Sequence, residues 1–225
     1  MTTSETAARV LLHLTKTAGG TLKTALWTTD GINVEFIYGP ADKDRVRAMS
    51  KDGLDLIYGH VVYGIHDEIG LDDATRYMCF MRHPVTRTIS HYHHLYNVER
   101  GPIGDKIRQS ENIDEFFDEL SHWEFNNFMC KVISGLGKTS ATDDELFEAA
   151  KSAIDERFDF IGFQEYFPLS LKALSSHLGK PIKPASDINV GKYSLNAVGD
   201  RTLDTITSLN LADIRLYKYA LEKFL

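Results

Sequence analysis

The chain has 225 residues, 43% of them hydrophobic and 25% charged, with a formal net charge of −7. That length and apolar content can bury a full core without covalent staples, and two cysteines, Cys79 and Cys130, are no disulfide framework. The acidic balance argues against a protein that wraps nucleic acid, which needs an excess of Lys and Arg, and it weakens the case for a polyanionic substrate.

Residues 1–8 are short and polar, and the apolar run at 10–14 is too short for a signal sequence or a membrane span. The expectation is a cytoplasmic protein with no integral membrane segment and with both thiols reduced. Residues 9–14 read as a buried strand, 15–20 as a loop and 21–27 as the start of a helix. Further strands are expected at 33–38, 54–62 and 75–81, with a polar helix over 42–50 between the first two. Pro84 opens a helix that runs to about residue 98, proline being suited to the first turn. Residues 100–110 contain Gly and Pro and read as a surface loop.

From 112 to 157 the pattern is helical and charged, broken at 134–142. A fifth strand falls at 158–163, a helix at 166–178 and an irregular stretch at 180–199. An amphipathic helix covers 210–225, its aromatic residues being core. There is no internal repeat and no dividing linker. Short strands alternating with helices predict one α/β domain over 1–225, a P-loop-like parallel sheet flanked by helices.

The first strand runs into His13-Leu14-Thr15-Lys16-Thr17-Ala18-Gly19-Gly20-Thr21. Two glycines let backbone fold closely around an anion, and the following helix offers unpaired N–H groups and a positive dipole end. Lys16 adds a full charge, and Thr17 and Thr21 add hydroxyls. The order is not that of a Walker A motif, where Lys directly precedes Ser or Thr; here Gly20 precedes Thr21. The plain alternative is a Gly-Gly turn with Lys16 in solvent.

Lys16-Thr17-Ala18-Gly19-Gly20-Thr21 after an apolar strand resembles the 5′-phosphosulfate loop of sulfotransferases that use 3′-phosphoadenosine 5′-phosphosulfate (PAPS). The branch it is most similar to is the carbohydrate group of heparan sulfate 2-O-sulfotransferases. Thr15 stands where proline is usual, and Ala18 where glycine is common. The family binds the 3′-phosphate with an Arg at a strand end and a Ser eight residues on, and Arg82 and Ser90 match those positions. A guanidinium fork suits phosphate oxygens, and a hydroxyl adds a donor.

Sulfuryl transfer also needs a base for the attacking hydroxyl, and a neutral imidazole suits that task near neutral pH. Tyr58-Gly59-His60 resembles the segment carrying the catalytic His of that branch, which makes His60 the expected base. The branch has a second His where this chain has Tyr58. His66 and Glu68 are weaker candidates. Lys16 takes a second, catalytic role, stabilising charge on the leaving phosphate.

The resemblance thus implies PAPS as co-substrate, no metal, and a hydroxylated acceptor of sugar or glycoconjugate type. Lys16, Thr17, Ala18, Gly19, Gly20 and Thr21 would hold the 5′ side, and Arg82 and Ser90 the 3′ side. Lys192, in a stretch that in relatives folds over the nucleotide, either reaches the 3′-phosphate or is solvated.

His91, His93 and His94 read as a solvated or substrate-facing helix surface rather than a metal site. The segment 124–135, with Asn126, Asn127 and Lys131, has a role in acceptor contact or in helix packing. Glu165 either orients acceptor or caps the following helix. Two rivals stand: a nucleotide-dependent kinase or phosphotransferase on a similar sheet, and a non-catalytic nucleotide-binding protein.

Overall fold

Apolar residues fill all five positions of the strand Tyr77–Met81, and every one is buried. A strand buried on both faces belongs inside a parallel sheet covered by helices on each side. The computed structural model, which describes residues 8–97, 101–110, 112–118, 122–137, 140–184 and 198–225, has that design. Its elements in chain order are β1 (Arg9–Leu12), α1 (Gly19–Trp27), β2 (Val34–Ile37), α2 (Pro40–Ala48), β3 (Leu56–Gly59), α3 (Ile65–Ile69), β4 (Tyr77–Met81) and α4 (Pro84–Asn97). There follow α5 (Pro102–Gln109), α6 (Ile113–Asp118), α7 (Phe128–Ile133), α8 (Asp143–Arg157), β5 (Phe158–Phe163), α9 (Phe167–Leu178), α10 (Asp200–Ser208) and α11 (Leu211–Phe224). Single 3₁₀ turns occupy Trp123–Phe125 and Gln164–Tyr166.

The strands pair in the order β2-β3-β1-β4-β5, all parallel. Alternate side chains go to opposite faces. Tyr77, Cys79 and Met81 pack with α7, α8 and α11, while Met78 and Phe80 pack with Leu22 and Leu26 of α1 and Leu171 and Leu174 of α9. A third cluster joins α4, α5, α6 and α10 around Phe116 and Phe125. The expected P-loop-like parallel sheet flanked by helices is what the chain forms.

Residues 100–110 are corrected: α5 covers Pro102–Gln109. Pro102 sits in the first turn, where its missing N–H costs nothing, and Ile103 and Ile107 lie on one face so that Ile107 is fully buried. The short helices α3 and α10 were also not expected. Both cysteines are buried and free, and burial pushes the Cys79 thiol up. No helix among the described residues is long and apolar enough to cross a membrane.

The sheet puts the carboxyl ends of β3, β1 and β4 side by side, with Leu12 opposite both Gly59 and Cys79. Ligands of open α/β sheets bind beyond such ends. Lys16, His60 and Arg82 each follow one of these three strands.

Candidate active site

The loop between β1 and α1 turns through left-handed backbone at Lys16 (φ 69°) and Ala18 (φ 65°). A side chain in that region is strained by about 1–2 kcal/mol, so the loop holds a conformation its sequence alone does not favour. Thr17 is buried and its hydroxyl donates to the Leu14 carbonyl at 2.8 Å. That proton closes the loop, so Thr17 offers a ligand its backbone rather than the hydroxyl donor expected from the sequence. Helix α1 starts at Gly19 with no side-chain cap and no acidic residue in its first turn, the condition in which a helix start attracts an anion.

Gly19 has a further reason to be glycine. A Cβ there would lie 1.7 Å from Nε2 of His13, so the imidazole rests directly on the glycine backbone.

Arg82 leaves β4 and reaches back to this loop. Its Nη1 donates to the Lys16 carbonyl at 3.3 Å, and its Nε donates to Thr86 Oγ1 at 3.3 Å. Lys16 and Arg82 are close enough that the guanidinium adds to burial in lowering the Lys16 pKa. Ser90 lies buried two turns along α4. The backbone N–H of His83, next to Arg82, donates to Glu165 at 2.8 Å, and Tyr217 of α11 donates to the other oxygen of Glu165 at 3.0 Å. Glu165 therefore ties the β4–α4 corner to α11, which neither sequence-derived role for it described.

His60 is the first residue beyond β3 and is exposed at the rim. Its Nδ1 lies 3.1 Å from the His13 carbonyl. A carbonyl only accepts, so Nδ1–H donates and the neutral ring keeps its lone pair on Nε2. His13 stacks on His60 (centroids 4.2 Å apart) and on Tyr58 (5.1 Å), and the Tyr38 ring meets His60 edge-on at 5.0 Å. Burial lowers the His60 pKa, the bond to His13 and the charge of Glu124 act upward, and Lys23 acts downward. Burial, with the charges of His60, Lys23 and Lys16, pushes His13 down to about 3. Both rings are neutral near neutral pH.

Helix α4 meets the turn Trp123–Phe125 through His91, Arg87 and Glu124. His91 is buried, which corrects its reading as a solvated or substrate-facing position; its Nε2–H donates to Glu124 at 2.8 Å. Burial pushes His91 down to about 4. Arg87, fully buried, donates to the Glu124 carbonyl at 2.5 Å and lies over the Phe128 ring. The His94 pKa is lowered by burial and by the charge of Lys16.

Lys131 is buried, with Nζ donating to both oxygens of Asn126 at 2.8 Å, and buried Asn127 bridges Asp143 and the Asp213 backbone N–H. Asn127 and Lys131 are thus engaged in packing the helices. His66 bonds Tyr77 at 2.7 Å, and Glu68 is paired with Lys43, away from the loop partners of His60. Among the described residues, His66, Asp67 and Asp73 form the one group of three possible metal ligands; two of them are exposed.

The structure thus brings Lys16, Thr17, Ala18, Gly19, Gly20, Thr21, His60 and Arg82 to one edge of the sheet, with Ser90 on the helix that follows Arg82. Lys192 lies outside the described residues. His13, Tyr38 and Glu124 were not singled out from the sequence. His13 alone carried a signal, as a polar residue at the end of an apolar strand before the glycine loop.

No family model matches the sequence, and no curated protein matches it. Among solved structures the chain is similar to mouse sulfotransferase SULT7A1 complexed with PAP, at 12% sequence identity and a TM-score of 0.49 over 91% of this chain. The chain spans 64% of the length of that structure's chain.

Proposed function

We propose that this chain is a PAPS-dependent sulfotransferase acting on a hydroxyl of a carbohydrate acceptor. The observation that carries the proposal is the hydrogen bond from Arg82 to the backbone of Lys16. It sets the β1–α1 and β4–α4 corners side by side, as a ligand with phosphates at both ends of one adenosine requires. Two fixed cations and an uncapped helix start fit the anionic groups of that co-substrate.

In the proposed reaction the acceptor oxygen attacks sulfur, the bond from sulfur to the 5′-phosphate oxygen breaks, and adenosine 3′,5′-bisphosphate leaves. His60 Nε2 takes the acceptor proton, while Lys16 stabilises the charge growing on the leaving phosphate. Thr17 and Gly19 hold the loop in shape, and Arg82 and Ser90 bind the 3′-phosphate. Most of the rate would come from positioning and from charge stabilisation, as in phosphoryl transfer.

Calorimetry with adenosine 3′,5′-bisphosphate and with ATP, each with and without Mg²⁺, tests the proposal. Binding of the bisphosphate without metal, and weak binding of ATP, is expected. Tight Mg²⁺-dependent ATP binding would replace it with a phosphotransferase. Transfer of labelled sulfate from PAPS to sugar acceptors separates an enzyme from a protein that only binds the nucleotide.

A further inference from the structure

The row of residues just past the strand ends holds a side chain, that of His13, which the proposed reaction does not use. The parallel ladder runs on beyond the strands themselves: the His13 N–H donates to the Gly59 carbonyl at 2.8 Å, and the His60 N–H donates to the Ile37 carbonyl at 3.0 Å. Tyr38, His60 and His13 therefore stand side by side across β2, β3 and β1, on the face of the sheet that carries Leu11 and Tyr58.

The His13 ring is fixed from several sides. Its Nδ1 is hydrogen-bonded to Tyr38 Oη at 3.2 Å. Its plane lies nearly parallel to the rings of His60 and Tyr58, at interplanar angles of 18° and 14°. Its Nε2 rests on Gly19, as the absence of room for a Cβ there requires. Tyr58 in turn donates its hydroxyl to the Gly19 carbonyl at 2.8 Å, which pins the first residue of α1 to the same stack.

A ring wedged between the start of α1 and the His60 ring transmits position. The loop cannot close toward His60 without displacing His13, and His60 cannot swing inward without meeting it; close-packed groups pass such displacements on. His60 is an exposed residue just past a strand end, and its side chain would otherwise sample several rotamers. The stack on His13 at 4.2 Å and the bond from its Nδ1–H to the His13 carbonyl select one orientation. Burial keeps the His13 ring itself neutral, so it sets no second charge against a proton arriving on His60.

We propose that the His13 side chain is a positioning residue: it sets the spacing between the start of α1 and His60, and it holds the His60 ring in the orientation that leaves Nε2 unprotonated. This rests on the sulfotransferase proposal and adds to it the group that keeps base and sulfur donor at one separation. His13 touches no substrate in this scheme and acts through His60.

The test combines NMR of the ring nitrogens with turnover of the whole chain. Above neutral pH the His60 ring should carry its proton on Nδ1. His13→Ala should free the ring and mix its two tautomers. It should also lower kcat for transfer of labelled sulfate from PAPS to methyl glycosides by about 10²-fold, the cost of misplacing a reacting group by about 1 Å. In a His60→Ala background the same change should cost less than about twofold, since no base is left to position. Gly19→Ala, which pushes on the ring from the loop side, should mix the His60 tautomers with His13 still present, a second reading that stands if His13→Ala does not fold. A His60 ring protonated on Nε2 in the unaltered chain overturns the proposal, as does an unmixed tautomer in either variant. So does an equal loss of kcat in both backgrounds, the result expected of a residue that only packs. A fall in affinity for adenosine 3′,5′-bisphosphate as large as the fall in kcat overturns it too, because His13 would then serve the loop alone. If the unaltered chain transfers no sulfate from PAPS, the sulfotransferase proposal has failed and takes this inference with it, a result distinct from transfer that is indifferent to His13.

Discussion

Lys16 and Arg82 bring two cations to an uncapped helix start, whereas His13 and His60, beyond the ends of β1 and β3, and His91 on α4 are imidazoles whose pKa burial lowers, with Glu124 held as a carboxylate against His91. In the proposed reaction these groups would have different work to do. In that reaction the leaving phosphate gains negative charge as the bond breaks, so cations serve it best. An attacking hydroxyl gives up a proton, so its partner must start neutral.

The comparison can be broken at either end. The largest effect is expected for His60→Ala, which should lower turnover by about 10²–10⁴-fold, the usual weight of a positioned general base, with bisphosphate affinity unchanged by calorimetry. Full activity in that variant would put the base elsewhere. Lys16→Ala should cost about 10²–10³-fold in kcat, as loss of one charge-stabilising group does, measured under saturating PAPS.

Arg82→Ala should act on binding instead, weakening the bisphosphate by about 10–100-fold through lost charge-assisted hydrogen bonds. Equal affinity in wild type and variant would remove the 3′-phosphate from that corner.

A pH profile sharpens the same contrast. The active form of His60 is unprotonated, so kcat/KM should fall on the acid side, as pH drops through its pKa. Because burial lowers that pKa, the fall should come below 6.5. Glu124→Gln removes an upward influence and should move the acid limb lower still. A limb that does not move would separate Glu124 from His60.

The smallest effects lie in the loop backbone. Ala18→Gly relieves a left-handed residue and should raise stability by about 1 kcal/mol, read as a higher Tm. Gly19→Ala forces a methyl into His13 and should lower it by about 1–3 kcal/mol.

The β1–α1 and β4–α4 corners were legible in the sequence because a strand–loop–helix turn is local. A strand end, a few loop residues and a helix start are contiguous, so Lys16 to Thr21 and Arg82 to Ser90 announce themselves. His13, Tyr38 and His60, by contrast, are single residues just beyond the ends of β1, β2 and β3, brought together only by the strand order. Glu124 lay in a segment whose Asn127 and Lys131 attracted notice, yet those two are occupied with helix packing. The strand at 158–163 was read to the residue, while 100–110 was misread because a Gly and a Pro at a helix start look like a loop until Ile103 and Ile107 are given something to pack on.

Glu165 gives the molecule one more property. Through it, the backbone next to Arg82 is moored to Tyr217 on α11. In the proposed enzyme, nucleotide grip is therefore partly an attribute of the distal scaffold: Tyr217→Phe, a change that leaves the aromatic core filled, would loosen the mooring and be felt first as a faster off-rate for the bisphosphate, before any loss of melting temperature.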